Sequence, residues 1–490
     1  MSDVIISKKN EVFLKLKCEP HILYELHPYF TFEVNNAKYM KRYNKGWNGQ
    51  VTLLSTTTGE IYVGLLDRVI AKLKVLGYSY EFEYNKFYGS PFEVNEEITH
   101  AGTEGFLRAV CKALQPYDYQ VSAVYECLRY NRKTIVSATA SGKSYVIYGI
   151  IRYHVAKNHK CLIVFPTTSL VRQMFTDWQS YGWNPEDHCH MIYDGAIKSN
   201  DSEVTLSTWQ SLINCPKSFF EDFDCVIVDE CHGCKANSLV SIMKNCHQAK
   251  YRYGFTGTLT NGGEDSKTHE WVISGLFGPP YKAVGTKELI EKGRASKLDI
   301  QCIVLKHTPK FFETYEDEIK YIISQEKRNN FIKNLALSLK GNTLILFSRV
   351  ETHGQLLFDA INNGTSQHKV FFVHGGVDTD EREEIRNISE REDNAIIVAS
   401  YGVFSTGISI KNLHNLIFAS PFKSRIRNMQ SIGRLLRLNH NKKVAKVYDI
   451  ADDITINNRS NYTLKHFMER VKNYNEEEFE YDIKTIKLGD

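Results

Sequence analysis

The apolar positions fall into two groups of short, continuous runs, each run followed by a stretch of helix length and mixed polarity. The first group holds Cys161-Leu-Ile-Val-Phe165, Val204-Thr-Leu-Ser207, Cys225-Val-Ile-Val228 and Tyr251-Arg-Tyr-Gly-Phe255. The second holds Asn342-Thr-Leu-Ile-Leu-Phe347, Lys369-Val-Phe-Phe-Val373, Asn394-Ala-Ile-Ile-Val-Ala399, Leu416-Ile-Phe-Ala419 and Val444-Ala-Lys-Val-Tyr448. Runs rich in Val and Ile predict strands buried on both faces, the pattern of a parallel sheet covered by helices. Strand and helix alternating twice over predicts two α/β domains in tandem. Between them, residues 260 to about 300 read as an irregular connection: Asn261-Gly-Gly-Glu-Asp-Ser266 is turn chemistry, and a short helix from Glu288 stops at Gly293.

The first 100 residues have another rhythm. Alternation in Glu11-Val-Phe-Leu-Lys-Leu-Lys17 and Gln50-Val-Thr-Leu-Leu54 predicts strands, and Leu65 to Leu76 a helix, so this is a small α+β module. Residues 98–114 link it to the first α/β domain.

The strand ends carry the chemistry. Ile135-Val136 breaks into Ser137-Ala-Thr-Ala-Ser-Gly-Lys-Ser144 before apolar residues resume at Tyr145, which reads as strand, phosphate loop, helix. Small residues let backbone N–H groups wrap a triphosphate, Lys143 can reach the β- and γ-phosphates, and Ser144 can hold Mg²⁺. Ser137 stands where the loop template has its first glycine. The strand from Cys225 closes on Asp229-Glu230, one carboxylate for the metal and one for the attacking water. Both halves of an ATPase site are therefore present. Gln120, just ahead of the loop, can hydrogen-bond two edges of adenine. Thr167 and Thr168, and Thr208 with Trp209, sit at strand ends where hydroxyls can follow a phosphate backbone or serve as ordinary helix N-caps. Thr256-Gly-Thr258 ends one more strand and is expected to couple the ATP site to the other domain.

Charge matters only locally. The net charge is +4 with 24% charged residues, so any nucleic-acid affinity must lie in patches. In the N-terminal module, Lys38-Tyr-Met-Lys-Arg-Tyr-Asn-Lys-Gly-Trp47 has four cations, three aromatics and no acid. That suits phosphate contact with base stacking, through Lys41, Arg42, Lys45 and Trp47. The alternative is a solvated hairpin with Tyr39, Tyr43 and Trp47 packed inward. From Pro421 to Lys446 there are eight Lys and Arg and no acid, with Arg434 and Arg437 three apart on one helical face. A guanidinium brought to the γ-phosphate is the arginine-finger role, and a basic helix on DNA is the simpler one. Eleven irregularly spaced cysteines, many inside apolar runs, fit reduced core thiols. Cys231-His-Gly-Cys234 lacks a second ligand pair at zinc spacing. With no signal peptide and no run of 18 apolar residues, an intracellular protein without a membrane span is expected.

As an ordered set these motifs resemble those of a superfamily 2 helicase: Gln120, Ser141 to Ser144, Pro166 to Thr168, Asp229 to His232, Thr256 to Thr258, Phe347-Ser348, Gly402 to Ser409 and Gln430 to Arg437. The acidic motif with Cys and His, Ser207-Thr-Trp-Gln210, and Ala399 to Ile410 are similar to the UvsW recombination helicases of T4-like phages. Lys45-Gly-Trp-Asn-Gly49 and Tyr474-Asn-Glu-Glu477 resemble that family too.

The resemblance implies two RecA-like parallel-sheet domains in tandem behind a small N-terminal α+β domain. The expected bounds are 1–100 for the accessory DNA-binding module, 101–300 and 301–460 for the helicase domains, and 461–490 for a C-terminal helical tail. It implies an ATP- and Mg²⁺-dependent enzyme on Holliday junctions, R-loops, D-loops and stalled forks. Partners would be branched and single-stranded DNA, and RNA in hybrids. A monomer in the cytoplasm, the host's if phage-encoded, is expected. Gln120, Ala140, Ser141, Gly142, Lys143, Ser144 and Gly407 would bind nucleotide, with Ser144 and Asp229 on the metal and Glu230 on water. Arg434 and Arg437 would face the γ-phosphate. His232, Thr256, Thr258 and Gln430 would couple nucleotide to DNA, and Ser400 and Thr406 would join the DNA contacts. Many relatives have a glycine in the loop where Ala140-Ser141 stands here. Ala140 is expected to fit if its backbone avoids φ > 0. A double-strand translocase or an RNA helicase would share the motor, and a passive binder with a vestigial ATPase is the remaining alternative.

Overall fold

The computed structural model describes residues 2–34, 37–39, 43, 46–83, 94–193, 202–234, 237–262, 266–406, 410, 412–439 and 442–488, apart from the side chains of residues 237, 379, 405 and 406. The chain divides into two compact units, residues 1–137 with 142–283, and residues 138–141 with 284–490.

In the first unit a seven-stranded sheet runs in the order Pro280–Val284, Arg132–Ser137, Tyr251–Thr256, Cys225–Asp229, Cys161–Phe165, Val204–Thr208, Cys189–Ile192. The five pairs from Arg132–Ser137 across to Cys189–Ile192 are parallel. Its central strands are the continuous apolar runs: all five residues of Cys161–Phe165 are buried, as are the first four of Cys225–Asp229. Parallel register brings the phosphate loop, the Pro-Thr-Thr turn and the acidic pair to one carboxyl edge, where ligands of doubly wound sheets bind.

The N-terminal module has a four-stranded sheet, Glu60–Tyr62, Phe13–Cys18, Val4–Lys8, Tyr80–Phe82, with helices Pro20–Leu26 and Leu66–Leu76. Phe13–Cys18 buries Leu14 and Leu16 and exposes Lys15 and Lys17, as its alternation predicts. This module is built into the first unit. One apolar cluster joins Ile6, Leu16 and Val69 to Val164, Val228 and Phe277. Gly64 lies so close to helix Ser266–Phe277 that an added Cβ would stand 1.9 Å from the Ser274 carbonyl oxygen. Arg132, buried on the first strand of the large sheet, donates to the Glu11 carboxylate at 2.7 Å. An ion pair taken out of water lasts only when both partners are present.

The second unit has its own seven-stranded sheet, all parallel: Val370–Val373, Ile396–Ser400, Thr343–Phe347, Asn415–Phe418, Val444–Asp453, Lys297–Lys306, Tyr481–Lys487. Two expectations are corrected. The connection 260–300 contains helix Ser266–Phe277, strand Pro280–Val284 and the start of Lys297–Lys306, so a boundary at residue 300 would cut a strand that is interior to the second sheet. The tail after residue 460 is helix Tyr462–Glu476 followed by the edge strand Tyr481–Lys487, which is largely exposed and pairs only with Lys297–Lys306 among the described strands. Arg470 Nη2 to Asp449 Oδ1 at 2.6 Å, with Tyr474 donating to the same carboxylate at 2.8 Å, pins that helix to its sheet.

Candidate nucleotide and nucleic-acid site

Helix Lys143–Ala156 begins where the phosphate loop ends. Its cap, Gly142, has φ +78°, and a Cβ there would lie 2.5 Å from Gln120 Nε2, so both conformation and space require glycine. Gln120 thus abuts the loop, as expected, and its Oε1 accepts the Tyr117 amide at 3.0 Å. Lys143 Nζ donates to the Ser137 carbonyl at 3.2 Å, a bond that a phosphate oxygen can replace. Ser141 is buried and its amide donates to the Ala138 carbonyl at 3.2 Å, closing the turn.

Ala140 corrects the sequence expectation: its φ is +68°, in the left-handed region that was to be avoided. Holding a residue with a Cβ there costs about 1–2 kcal/mol, which a glycine would not incur.

Tyr181, just beyond helix Thr168–Ser180, places its hydroxyl 2.9 Å from Ser144 Oγ. No motif marks this residue, and it was not foreseen. Burial, then the Asp177 charge, push its phenol pKa upward, so it stays neutral.

Asp229 closes its strand, and Glu230 follows with φ +54°, its amide donating to Asp229 Oδ1 at 3.0 Å. Burial and the neighbouring Glu230 charge push the Asp229 carboxyl up to about 7, with Lys143 pulling the other way. A hydroxyl with two adjacent carboxylates, of which burial and its neighbour's charge raise Asp229, is an oxygen donor set that fits Mg²⁺. His232 Nδ1 lies 3.1 Å from Glu230 Oε2 and 3.0 Å from Thr256 Oγ1, and Thr256 Oγ1 donates to the Thr258 carbonyl at 2.9 Å. Three of the four expected coupling residues therefore form one chain leading from the acidic pair. Gln430 belongs to the second unit, buried on helix Arg425–Leu435.

The expected DNA contacts separate into kinds. Thr167 and Thr168 are half-buried at the start of their helix, with Thr167 Oγ1 3.1 Å from Ser169 Oγ. Thr208 is only 4% exposed, and its hydroxyl accepts the Ser211 amide at 3.4 Å as a helix cap, which corrects its assignment to phosphate. Trp209 beside it is half-buried, and exposed Gln210, which was not foreseen as a contact, donates to the Pro166 carbonyl at 3.2 Å and joins the two turns. In the N-terminal module Tyr39 is 89% exposed, against the packed-hairpin alternative, while Trp47 is half-buried with Nε1 donating to Gln50 O at 2.7 Å. Ser400 ends its strand, half-buried. Lys41, Arg42, Lys45, Gly407 and the Thr406 side chain lie outside the described residues.

Helix Arg425–Leu435 ends two residues before Arg437, so Arg434 occupies its last turn and Arg437 follows its cap, which corrects the shared helical face. Arg434 donates to the Phe404 carbonyl. The basic run is also less free than its composition suggests: Arg425 pairs with Glu477 at 2.9 Å, and Lys442 is buried, donating to the Leu413 and Leu435 carbonyls.

A phosphate loop, an acidic pair and a basic helix on a second parallel sheet define an ATP-dependent helicase of superfamily 2. Family models agree: "Type III restriction enzyme, res subunit" matches residues 113–261, and "Helicase conserved C-terminal domain" matches 326–439. The ATP-dependent DNA helicase uvsW of Enterobacteria phage T4 is 33% identical, over 97% of this chain and 98% of that protein. The crystal structure of T4 UvsW matches with a TM-score of 0.51 at 31% identity, covering 99% of this chain and 100% of that one. This chain belongs to the UvsW family. At the level of fold alone it is similar to RNA-bound Dbp5 of S. cerevisiae (TM-score 0.56, 13% identity, 81% and 96% of the two chains). It is similar in the same sense to an HsdR restriction subunit of Vibrio vulnificus (0.58, 16%, 86% and 83%).

Proposed function

We propose that this ATP-dependent helicase acts on branched DNA, unwinding or migrating Holliday junctions, R-loops, D-loops and stalled forks in recombination, replication and repair. The observation that carries the reading is identity to a DNA helicase over nearly the whole chain, N-terminal module included. Lys143 exchanges the Ser137 carbonyl for the γ-phosphate, Ser144 and Asp229 would hold Mg²⁺, and Glu230 orients and deprotonates the attacking water. Mg²⁺ supplies charge neutralisation at the phosphates. Arg434 and Arg437 stabilise transition-state charge from the second unit. Loss of the γ-phosphate passes through Glu230, His232 and Thr256 to the DNA-facing turns, and the two units then hold different phosphates. Opening a base-pair step costs roughly 0.6–2.2 kcal/mol of stacking, whereas branch migration exchanges equal pairs and needs mainly direction.

The test is ATP hydrolysis by the full chain with linear single-stranded, linear duplex and four-way-junction DNA, and with RNA, scoring strand separation in parallel. Junction-stimulated hydrolysis with junction dissolution is expected, and Lys143→Ala should abolish both while binding survives. Hydrolysis on duplex without separation would make it a translocase, and stimulation by RNA alone an RNA helicase.

A further inference from the structure

Strands Lys297–Lys306 and Val444–Asp453 run in parallel register with Lys306 opposite Asp453, so the segments after both leave the second sheet at its carboxyl edge. With the start of helix Tyr462–Glu476 those segments line a shallow, solvent-open cleft. No residue named in the motor lines it.

The lining joins cations to rings. Lys310 Nζ lies 4.4 Å from the Tyr321 centroid and 5.3 Å from that of Phe312. The Arg459 guanidinium stands 4.8 Å over Phe311, and Lys465 Nζ is 5.8 Å from the Tyr462 ring. Among the described residues none of these three cations pairs with a carboxylate. The acid in the lining, Glu318, is 1% exposed and fully engaged, accepting Asn461 Nδ2 at 3.0 Å and the Tyr462 and Thr463 amides at 2.9 and 2.6 Å. Phe311 keeps 48% of its surface exposed even under Arg459. Arg459 itself is set by a tight turn: Asn457 and Asn458 have φ +49° and +59°, and the Arg459 amide donates to the Ile456 carbonyl at 2.8 Å. Asparagine tolerates that backbone with little strain, so the cation is presented by a preformed loop.

Unpaired cations beside an exposed ring match a phosphate next to an unstacked base. A duplex offers no free base face, which selects a single strand. We propose that this cleft is an additional nucleic-acid subsite holding one unpaired nucleotide of single-stranded DNA, the base against Phe311 and the flanking phosphates at Arg459 and Lys465. The inference rests on the reading that the chain acts on DNA.

The test is titration of a labelled oligo-dT, and of an abasic strand of equal length, with the full chain across a salt series. Phe311→Ala should weaken oligo-dT binding about five-fold or more and leave the abasic strand unchanged. Arg459→Gln with Lys465→Gln should weaken both strands and flatten the slope of log affinity against log salt by about 1.4, two phosphates at about 0.7 each. ATP hydrolysis without DNA should be unaltered in each. If both variants keep wild-type affinity and slope in a chain that does bind DNA, the subsite is refuted and the helicase reading stands. If the unmodified chain binds RNA and no DNA, both fall.

Discussion

The left-handed backbone at Ala140 makes a prediction whose sign is informative. Replacing it with glycine removes a penalty of about 1–2 kcal/mol for a Cβ at positive φ. The same change loosens the unfolded chain, which costs about 0.4–1 kcal/mol. The balance is a stabilisation of about 0.8 kcal/mol at the middle of both ranges, or about 0.4 M in urea midpoint if the slope is about 2 kcal/mol/M. Ala138, in the same loop, is not among the positive-φ residues and its amide donates to the Val284 carbonyl at 3.1 Å. There glycine meets only the entropic loss, so Ala138→Gly should lower the midpoint. Urea unfolding followed by intrinsic fluorescence of both variants gives the comparison. Nucleotide affinity adds a second reading: if the loop is already shaped for phosphate, Ala140→Gly changes the ATP dissociation constant by less than about two-fold, because the strain is common to free and bound forms. A midpoint that falls equally in both variants would refute the left-handed assignment.

Three further outcomes follow from other contacts. Tyr181→Phe removes the partner of Ser144 Oγ, so the Mg²⁺ concentration for half-maximal hydrolysis should rise about 2- to 12-fold, from about 0.5–1.5 kcal/mol per hydrogen bond, with the rate at saturating Mg²⁺ kept; an unchanged Mg²⁺ dependence would show the contact to be incidental. Glu11→Ala leaves Arg132 charged and buried without its carboxylate and should cost about 3–5 kcal/mol in chemical denaturation, and substituting Met at both positions should recover most of it; a loss below about 1 kcal/mol would mean the N-terminal module is not fixed there. His353 is buried, and burial together with the Arg328 charge lowers its pKa to about 3, while the unfolded value is about 6.5. The unfolded state therefore binds the extra proton, and stability from this residue, fully present above pH about 6.5, falls as pH drops through the window down to about 3. At pH 5.5 the loss is about 1.4 kcal/mol, and His353→Gln should flatten the acid limb of stability against pH by that amount.

Strand ends in the sequence carried most of the motor, because a parallel sheet converts a one-dimensional pattern into a shared edge. Asp229 and Glu230, Lys143 and Ser144, and Thr256 are each read directly from a run of apolar residues and what closes it. What escaped has a common physical reason. Tyr181 acts through a hydroxyl at the end of a helix whose sequence carries no motif, 37 residues from Ser144. Lys297–Lys306 begins Lys-Leu-Asp-Ile-Gln, too polar to look like an interior strand, because its first three residues precede the pairing with Tyr481–Lys487 and are exposed or half-buried. At Thr208 the sequence left two readings open, phosphate contact and helix cap, and the local geometry uses the hydroxyl as a cap. The charge count over residues 421–446 likewise missed that Arg425 is paired with Glu477 and that Lys442 is buried against backbone carbonyls.

Six described residues other than glycine have positive φ, and three are asparagines, which tolerate it. Two of the other three, Ala140 and Glu230, sit in the phosphate loop and the acidic pair. Strain of this size persists only where neighbours over-determine the backbone. At Glu230 one is visible: its amide donates to Asp229 Oδ1 at 3.0 Å. The loop beside Ala140 is closed by the bond from the Ser141 amide to the Ala138 carbonyl. Both restraints are made by the protein's own groups, so the strain is held within the two turns. At the acidic pair, burial and the Glu230 charge raise the Asp229 carboxyl while Lys143 opposes them, so a bound cation would favour its ionised form. The link that leads away from the pair, His232 Nδ1 to Thr256 Oγ1 at 3.0 Å, runs between residues whose backbones carry no positive φ.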